Sequence, residues 1–318
     1  MSDNLKQKVL LVGAGQMSVD YFNVLRNLDY DIVVVGRGEK SAKQFFDKTG
    51  FKAITGGLSK FLLKNNIVFS KAIVAVGVEE LKNTTVQLIN HSFNSILVEK
   101  PAGLTFQEIQ DVASYSEEKN VDVFVAYNRR FYASVKKAQE IILDDGGVTS
   151  FNFEFTEWSH VIEKLVKAQG VKENWFLGNS THVVDLAFYL GGKPKEISGY
   201  TIGGLDWHPK ASVFTGAGIT ENGALFSYQA NWESPGRWGV EILTKKHRLI
   251  LRPLEKLQIQ NIGSVNIEFV ELDCELDKQY KPGLYLQTEY FITNKCQYLL
   301  PIQEHLNNCL YYARIISQ

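Results

Sequence analysis

The sequence predicts a doubly wound parallel α/β sheet, followed by an α+β domain with a large, mainly antiparallel sheet. Up to Ala126, short β-rich apolar runs alternate with longer helical patterns, which is typical of βαβ units. After Arg130, long segments of alternating polar and apolar residues indicate antiparallel strands. The 318 residues are enough for two domains of roughly 100–200 residues each. We therefore expect domains at residues 1–126 and 127–318.

The strands of the first domain are near-continuous apolar runs, which usually lie inside a parallel sheet with both faces covered. They are predicted at Lys8–Val12, Asp31–Val35, Lys71–Val76, Ser95–Val98 and Val121–Ala126. The intervening segments have the length and spacing of crossover helices, predicted at Gln16–Asn27, Glu39–Lys48, Glu79–His91 and Thr105–Lys119.

The second domain is predicted to begin with a helix, Phe131–Leu143, which ends at Gly146-Gly147. Alternating segments such as VTSFNFEFTEW and ALFSYQANW follow and predict the antiparallel sheet. One helix, Thr181–Leu190, interrupts these strands and ends at a glycine pair. A final helix is predicted at Ile302–Ile316.

Composition excludes several classes of function. The net charge is −1, and no basic tract suggests binding to nucleic acid or to a membrane surface. No apolar run approaches the ~18 residues of a membrane span, and the N-terminus lacks the apolar core of a secretory signal. Three cysteines without a Cys-x-x-Cys pair suggest neither a disulfide framework nor a metal site. We expect a cytoplasmic protein.

A glycine turn, GAGQMS, follows the first strand and opens the first helix. In this position Gly13 permits a tight turn, and Gly15 lets the backbone approach a pyrophosphate at the helix N-terminus. The third glycine of the usual dinucleotide pattern is replaced by Ser18, which weakens the match only modestly. The turn therefore predicts dinucleotide binding, against the alternative of a tight turn with no ligand.

The end of the second strand indicates which dinucleotide is preferred. NAD sites usually carry an acidic residue about 20 residues past the glycines. Here Gly36 and Arg37 stand at that point, with Ser41 and Lys43 nearby, although Glu39 could still turn inward. Arg37 suits the 2′-phosphate of NADP, and the alternative is a solvated surface cation. We expect NADP(H) to be preferred, with NAD(H) possible.

Four motifs occur in a characteristic order: GAGQMS at the N-terminus, Glu99-Lys100-Pro101 after a late strand, YNRRF at the domain boundary, and His182-Val-Val-Asp185. Together they resemble the Gfo/Idh/MocA family of NAD(P)-dependent oxidoreductases over essentially the whole chain. The resemblance implies a Rossmann domain followed by an open-faced sheet that forms the oligomer interface. It also implies hydride exchange between nicotinamide C4 and a carbinol or keto carbon of a sugar or nucleotide sugar, in a homodimer or homotetramer.

In that family the EKP lysine lies beside the nicotinamide and the substrate, and a helix-borne histidine acts on the reacting hydroxyl. The matching catalytic residues are Lys100 and His182. A neutral imidazole in the first turn of a helix can accept the hydroxyl proton, because the helix dipole disfavours imidazolium there. A buried lysine can polarise the oxygen. The alternative for His182 is a capping or core histidine. Glu99 is expected to fix the loop or contact the cofactor.

The predicted cofactor-binding residues are Gly13, Gly15, Gln16, Met17, Arg37, Val76, Gly77, Glu99 and Lys100.

The family pattern fails at one position. Many members carry an aspartate four residues before the histidine, where this chain has Gly178. Three explanations stay open: Asn179 takes over hydrogen bonding to the substrate, Glu157 or His160 reaches in from a neighbouring strand, or the chemistry is impaired. The last would leave a nucleotide-binding regulatory or scaffold protein. A further alternative is transient cofactor use during a glycosidic elimination.

The remaining candidates are substrate contacts. The predicted substrate-binding residues are Arg130, Glu157, Trp175 and Asn179. Four tryptophans stand close to glycine, asparagine or histidine in segments that could line a sugar or lie in an interface between subunits. Arg129 could bridge the domains through an ion pair. The histidines lack the short paired spacing of zinc sites, so no metal is predicted.

Overall fold

The computed structural model describes residues 8–65, 69–91 and 93–316, so the first seven residues of the predicted N-terminal domain lie outside it. The chain forms two compact units, Met1–Tyr127 with Lys278–Leu306, and Asn128–Asp277 with Asn307–Gln318. In the described part of the chain, no helix has the length and apolar content needed to cross a membrane.

The first unit is built on a parallel sheet with helices between its strands. Its elements in chain order are β1 (Lys8–Val12), α1 (Gln16–Asn27), β2 (Asp31–Val35), α2 (Glu39–Thr49), α3 (Leu58–Lys64), β3 (Lys71–Val74), α4 (Leu81–Ile89), β4 (Ser95–Glu99), α5 (Phe106–Lys119) and β5 (Asp122–Ala126). The order of the parallel strands is β5-β4-β3-β1-β2, so strand order reverses between β1 and β3. This is the predicted doubly wound sheet, and the crevice at such a reversal is where these sheets bind ligands.

The second unit combines helices with a large, mainly antiparallel sheet. Its elements are α6 (Ala133–Asp144), β6 (Ser150–Glu154), α7 (Ser159–Ile162), α8 (Thr181–Gly191), β7 (Pro194–Ile202), β8 (Val213–Thr220), β9 (Leu225–Asn231), β10 (Gly239–Leu243), β11 (His247–Leu251), β12 (Gln258–Asn261) and β13 (Glu268–Phe269). The sheet order is β13-β12-β11-β10-β6-β9-β8-β7, and only β6 and β9 pair in parallel among these neighbours. The predicted fold class is confirmed.

The large sheet is apolar on the face that α8 covers. Phe188 of α8 lies 5.2–6.0 Å, between ring centroids, from Phe151, Phe153 and Phe226. On the opposite face, Tyr200 and Ile202 are 71% and 70% exposed. Helix α8 is thus held on a rigid aromatic layer, and the other face of the sheet is open.

The C-terminal segment contributes α9 (Glu275–Gln279), α10 (Leu284–Ile292), β14 (Leu300–Pro301) and α11 (Ile302–Ile315). The structure differs here from the sequence-based assignment of residues 127–318 to one domain, because Lys278–Leu306 packs within the first unit. Strand β14 pairs antiparallel with β5, and buried Lys71 donates to the carbonyls of Phe291 and Ile292 and to Asn294. The assignment of functions to the two predicted domains stays a prediction.

Candidate active site

The carboxyl ends of β1, β2, β3 and β4 meet at one edge of the parallel sheet. This edge carries the predicted cofactor-binding residues, because each follows directly after one of these strands: the glycine turn after β1, Arg37 after β2, Val76-Gly77 after β3, and Glu99-Lys100 at the end of β4. Five adjacent parallel strands fix this edge, so the backbone alone brings together residues up to 87 positions apart, from Gly13 to Lys100.

Gly13 is required by the packing of the turn. Its φ is +125°, and a Cβ built there would stand 2.2 Å from the Ala75 carbonyl oxygen. Its N–H donates to the Val35 carbonyl at 2.8 Å. Ser18, in place of the third glycine, is fully buried and directs its hydroxyl to the Ala75 carbonyl at 3.4 Å. The serine therefore replaces the close packing of a glycine with a contact to the neighbouring strand.

Gly15 fits the approach of a phosphate group. It is the N-cap of α1, it is exposed, and a Cβ built on it would meet no atom within 4 Å. Gly15 has no side chain to cap α1, so the helix N-terminus offers its N–H groups and positive dipole end to an anion. The described residues at this turn therefore fit the pyrophosphate of a dinucleotide.

Gln16 and Met17 open α1 beside the glycine turn. Gln16 donates to Asp20 at 2.9 Å and accepts a hydrogen bond from Lys48 of α2. Lys281 approaches the Met17 sulfur at 2.7 Å. These contacts fix the first turn of α1 against its neighbours.

Arg37 is on the surface at the end of β2. Its side chain is 78% exposed, and it forms an ion pair with Glu80 at 2.6 Å. Glu39, the other residue considered for the ribose, instead accepts a hydrogen bond from Thr55 at 2.6 Å. Next along the edge, Val76 is half-buried and Gly77 is exposed before a 3₁₀ turn, Val78–Glu80.

Glu99 is bound by the helix that follows the glycine turn. Its carboxylate accepts a hydrogen bond at 2.7 Å from Tyr21 of α1, and Gln287 donates to the same tyrosine oxygen at 3.2 Å. Complete burial, together with the Glu99 charge, raises the pKa of Tyr21 well above its usual value. Glu99 therefore ties the end of β4 to α1, and its predicted role in the site stays a prediction.

Lys100 is buried, 7% exposed, in a tight turn after β4. The Lys100-Pro101 peptide is cis, Ala102 adopts a left-handed φ of +72°, and the Ala102 N–H donates to the Glu99 carbonyl at 3.0 Å. The Pro101 carbonyl lies 3.1 Å from Nε2 of fully buried His305. The backbone around the lysine is thus anchored on both sides, which limits the positions its ammonium group can reach.

In the second unit, His182 is the second residue of α8 and is half-buried. The helix dipole expected to act on it is weaker than predicted. A π-helical turn, Phe176–Ser180, runs directly into α8, and Ser180 already has helical φ and ψ of −66° and −25°. Because the helical backbone starts a turn upstream, His182 does not lie at an open helix N-terminus.

Glu157 supplies a carboxylate at this turn. It is 2% exposed, and its Oε1 accepts hydrogen bonds from Asn179 at 2.9 Å and Ser180 at 2.8 Å. Its Oε2 accepts a hydrogen bond from Arg237 at 3.3 Å. Of the candidates for the missing aspartate, Glu157 contacts the turn before His182 through Asn179, whereas His160 is exposed.

Arg130, predicted to contact substrate, is directed elsewhere. Its guanidinium makes a buried, two-pronged contact with Asp185 of α8, at 2.8 Å and 2.6 Å. Burial alone would lower the pKa of Arg130, but Asp185 more than offsets it and the pKa is raised. This pair joins the 3₁₀ turn Asn128–Phe131 to the helix that carries His182.

The tryptophan segments separate into two groups. Trp207 stacks on fully buried Trp232 with 5.5 Å between centroids, so both belong to the core of the unit. Trp175 packs edge-on to Trp207 at 6.0 Å, and its buried indole N–H has no acceptor among the described residues. Trp238 lies 6.0 Å from the His182 ring.

Sequence motifs missed several residues of these sites. Tyr21, His305, Ser180 and Arg237 each contact a predicted residue, or its backbone, from a distant segment. Ser180 alone had a local signal, because it stands two residues before His182. The others are brought in by pairings that span 78–204 residues.

A glycine turn at the carboxyl edge of a doubly wound sheet is typical of dinucleotide-binding proteins of the Rossmann type. Residues 7–127 match the model of the Gfo/Idh/MocA family, described as "Oxidoreductase family, NAD-binding Rossmann fold". The Rossmann region of the chain is therefore similar to that of Gfo/Idh/MocA oxidoreductases, and the predicted resemblance is confirmed for this region. No curated protein sequence matches the chain.

Solved structures share the fold across the whole length. Levoglucosan dehydrogenase in complex with NADH is 16% identical, with a TM-score of 0.79 over 98% of this chain and 96% of that chain. The WlbA dehydrogenase from Bordetella pertussis, in complex with NADH and UDP-GlcNAcA, is 15% identical, with a TM-score of 0.74 over 98% and 96%. UDP-N-acetylglucosamine 3-dehydrogenase GnnA from Acidithiobacillus ferrooxidans is 12% identical, with a TM-score of 0.73 over 98% of both chains. The TM-scores show a shared fold, and at such low sequence identity they show the fold alone.

Proposed function

We propose that this chain is an NADP(H)-dependent oxidoreductase that converts a carbinol carbon of a sugar or nucleotide sugar to a ketone, or the reverse. The observation that carries the proposal is the meeting of the glycine turn and buried Lys100 at one edge of the parallel sheet. When bound, the nicotinamide supplies or takes the hydride at C4. Levoglucosan dehydrogenase binds NADH and the WlbA dehydrogenase binds NADH with UDP-GlcNAcA in the structures named above, which supports this class of substrate.

His182 is the proposed general acid–base. Oxidation of an alcohol releases the hydroxyl proton, and a neutral imidazole nitrogen accepts it; the same group returns the proton in the reductive direction. Lys100 is proposed to hold and polarise the reacting oxygen with its ammonium group. The anchored turn around Lys100 supports this role, since a group that stabilises charge must be held in place before the reaction.

Glu157 and Asn179 are proposed to replace the absent aspartate. Asn179 is fixed by its hydrogen bond to Glu157, so it can present a defined edge to a substrate hydroxyl. Trp175, with its buried indole N–H, is a further proposed contact. Arg130 is proposed as a positioning residue, which orients α8 through Asp185.

The preference for NADP(H) is proposed from Arg37. A guanidinium binds a phosphate through two N–H groups, and the two residues directly after β2, Gly36 and Arg37, carry no carboxylate. Glu80 competes for the same guanidinium through the exposed ion pair. We expect Arg37→Ala to weaken NADP⁺ binding about tenfold without changing NAD⁺ binding, and Glu80→Gln to strengthen NADP⁺ binding. Equal effects of Arg37→Ala on both cofactors would argue against this selectivity.

A homodimer or homotetramer is proposed through the open face of the large sheet, in the cytoplasm. Tyr200, Ile202 and Leu225 are 60–71% exposed on β7 and β9, and a partner subunit would cover them. Light scattering after size exclusion measures the assembly. Ile202→Lys should dissociate it, whereas Leu63→Lys, at a residue 84% exposed in the first unit, should not.

The decisive experiment is a turnover assay with NADP⁺ and NAD⁺ separately against a panel of sugars and nucleotide sugars. Absorbance of the reduced nicotinamide is followed for wild type, Lys100→Ala and His182→Ala, with Lys52→Ala as an exposed control. We expect turnover in wild type and in the control, and its loss in the two site variants. Tight cofactor binding without turnover would contradict the proposal and favour a regulatory protein. Substrate conversion without net cofactor change would favour a transient oxidation.

A further inference from the structure

Four side chains of the second unit stack in an alternating order, which we term the arginine–tryptophan ladder: Trp158, Arg237, Trp238 and Arg129. The Arg237 guanidinium lies 4.8 Å from the centre of the Trp158 ring and 4.5 Å from that of Trp238. Arg129 lies 4.8 Å from the centre of the same Trp238 ring. Trp238 is 5% exposed, so two cations share one buried indole.

The positive charge of the ladder is only partly compensated within the protein. Glu157 is the carboxylate in contact with it, and it accepts from Arg237 at a long 3.3 Å while its other oxygen binds Asn179 and Ser180. Glu255 attracts Arg129 at longer range. Among the described residues, buried Nε of Arg129 has no hydrogen-bond acceptor. Arg237 thus contacts a carboxylate that is already hydrogen-bonded elsewhere, and Arg129 is attracted to Glu255 and Glu157 at longer range.

Placing the two guanidinium charges of Arg129 and Arg237 at one buried indole costs folding free energy. Burial, and then the neighbouring Arg237, lower the pKa of Arg129. Stacking on an indole offsets part of such a cost, but two like charges on one ring still repel each other. A group that brings negative charge to the ladder would relieve this repulsion.

The ladder has an open end and lies close to the proposed general base. Arg237 is 44% exposed at its side chain, and Trp158 is 49% exposed, so a ligand can reach this end from solvent. The Trp238 ring centre is 6.0 Å from that of His182. A sugar ring spans about the distance between these two groups, so a hydroxyl at His182 and an acidic substituent at the ladder can belong to one molecule.

We propose that the arginine–tryptophan ladder is a specificity site for an acidic group of the substrate, a carboxylate or a phosphate. The substrate is then an anionic sugar rather than a neutral one. Arg237 binds the acidic oxygens directly, and Arg129 adds positive charge at the same Trp238 ring. This inference rests on the proposed function for the identity of the ligand as a sugar.

Calorimetric titration of the NADP⁺-loaded protein tests the proposal without relying on turnover. The probes are D-glucuronate for a carboxylate, glucose 6-phosphate for a phosphate, UDP-glucose for a diphosphate, and D-glucose as the neutral reference. We expect at least one acidic probe to bind more tightly than glucose. The probe whose affinity exceeds that of glucose by the largest factor identifies the acidic group as a carboxylate, a phosphate or a diphosphate.

Variants then locate the effect. Arg237→Gln should weaken binding of the preferred acidic probe by about 10- to 100-fold, the loss expected for a charge-assisted hydrogen bond, and leave glucose binding unchanged. Arg129→Gln should also weaken binding of the preferred acidic probe. Because Arg129 is buried, its substitution can disturb folding, and the half-exposed Arg237 provides the variant that retains the fold. Arg248→Gln is the matched control, an arginine 45% exposed on β11 that pairs with Glu241.

The outcomes separate this inference from the proposed function. Tight, Arg237-dependent binding of an acidic sugar without turnover would support the ladder as a binding site and contradict the proposed catalysis. Turnover of neutral sugars with no preference for acidic probes would contradict the ladder proposal alone. Equal losses for glucose and for the acidic probe in Arg237→Gln, or no binding of any probe, would also overturn it.

Discussion

The two units carry their candidate residues in different ways. In the first unit, strand ends of one parallel sheet bring the glycine turn, Arg37 and Lys100 together, so the backbone topology does most of the placement. In the second unit, His182 is placed by side chains: Glu157 binds the π-helical turn before it, and Arg130 binds Asp185 one turn after it. Motifs therefore locate the first set more easily than the second.

This difference predicts that the second unit depends more strongly on single buried side chains. Glu157→Ala removes the acceptor of Asn179, Ser180 and Arg237, and we expect it to destabilise the protein by about 3 kcal/mol, because the donors of Asn179 and Ser180 are left without their acceptor. Urea unfolding measures the loss. Glu233→Ala, at an exposed glutamate, should stay within about 0.5 kcal/mol of wild type. Similar values for both variants would show that the second unit does not depend on the buried Glu157 side chain.

In the first unit, the buried side chain of Lys71 lies at the edge of the sheet opposite the cofactor-binding residues. Lys71→Met leaves the carbonyls of Phe291 and Ile292 and the Asn294 side chain without their donor, and we expect a loss of about 2 kcal/mol. Because Lys71 begins β3, at the amino edge, NADP⁺ affinity of the folded protein should be unchanged. A titration that showed weakened cofactor binding would break the division between the two edges.

At the carboxyl edge itself, Tyr21 gives a pH-dependent test. Its pKa is raised by burial and by Glu99, so the folded state keeps the phenol proton that the unfolded state loses. The resulting stability is complete below the unfolded pKa of about 10 and is lost as pH rises above it. The free energy of unfolding, measured with urea between pH 8 and about 11, should fall less steeply with pH for Tyr21→Phe than for wild type. If the free energy of unfolding depended on pH in the same way for both proteins, the pKa of Tyr21 would not be raised in the folded state.

The smallest expected effect is that of Gly178→Asp. Gly178 has a backbone that other residues can adopt, and a Cβ there would meet no atom within 4 Å, so we expect stability within about 0.5 kcal/mol of wild type. The variant places a carboxylate on the turn itself. In a Glu157→Gln background it should recover part of the lost turnover, and an assay of both single variants and the double variant measures this. If turnover does not recover, a carboxylate at position 178 cannot replace the carboxylate of Glu157.

The elements of the first unit were predictable because apolar runs and glycine turns are local signals. β1, β2 and α1 begin and end where the sequence predicts. The packing of Lys278–Leu306 with this unit was not, because β14 has only two residues and Lys71 makes its contacts about 220 residues away. Local periodicity carries no information on such pairings.

The candidate site shows the same limit. Lys100 and Glu99 follow from a strand end, whereas the pairing of Arg130 with Asp185 requires knowing that two motifs 55 residues apart face each other. The dipole argument for His182 was wrong in its premise, since the π-helical turn upstream has no distinctive sequence signal. Glu157 was one of several open candidates, and its burial and its hydrogen bonds to Asn179 and Ser180 distinguish it from His160.

The contact of Lys71 with the end of α10 also bears on synthesis of the chain. A ribosome releases the Rossmann strands long before residues 291–294, so the acceptors of the Lys71 ammonium arrive after more than 200 further residues have been added. Until then the nascent sheet keeps a hydrated cation at the start of β3, where the finished protein is dry. The N-terminal unit therefore completes this contact only after residues 128–277 of the second unit have been translated, which couples the two in time.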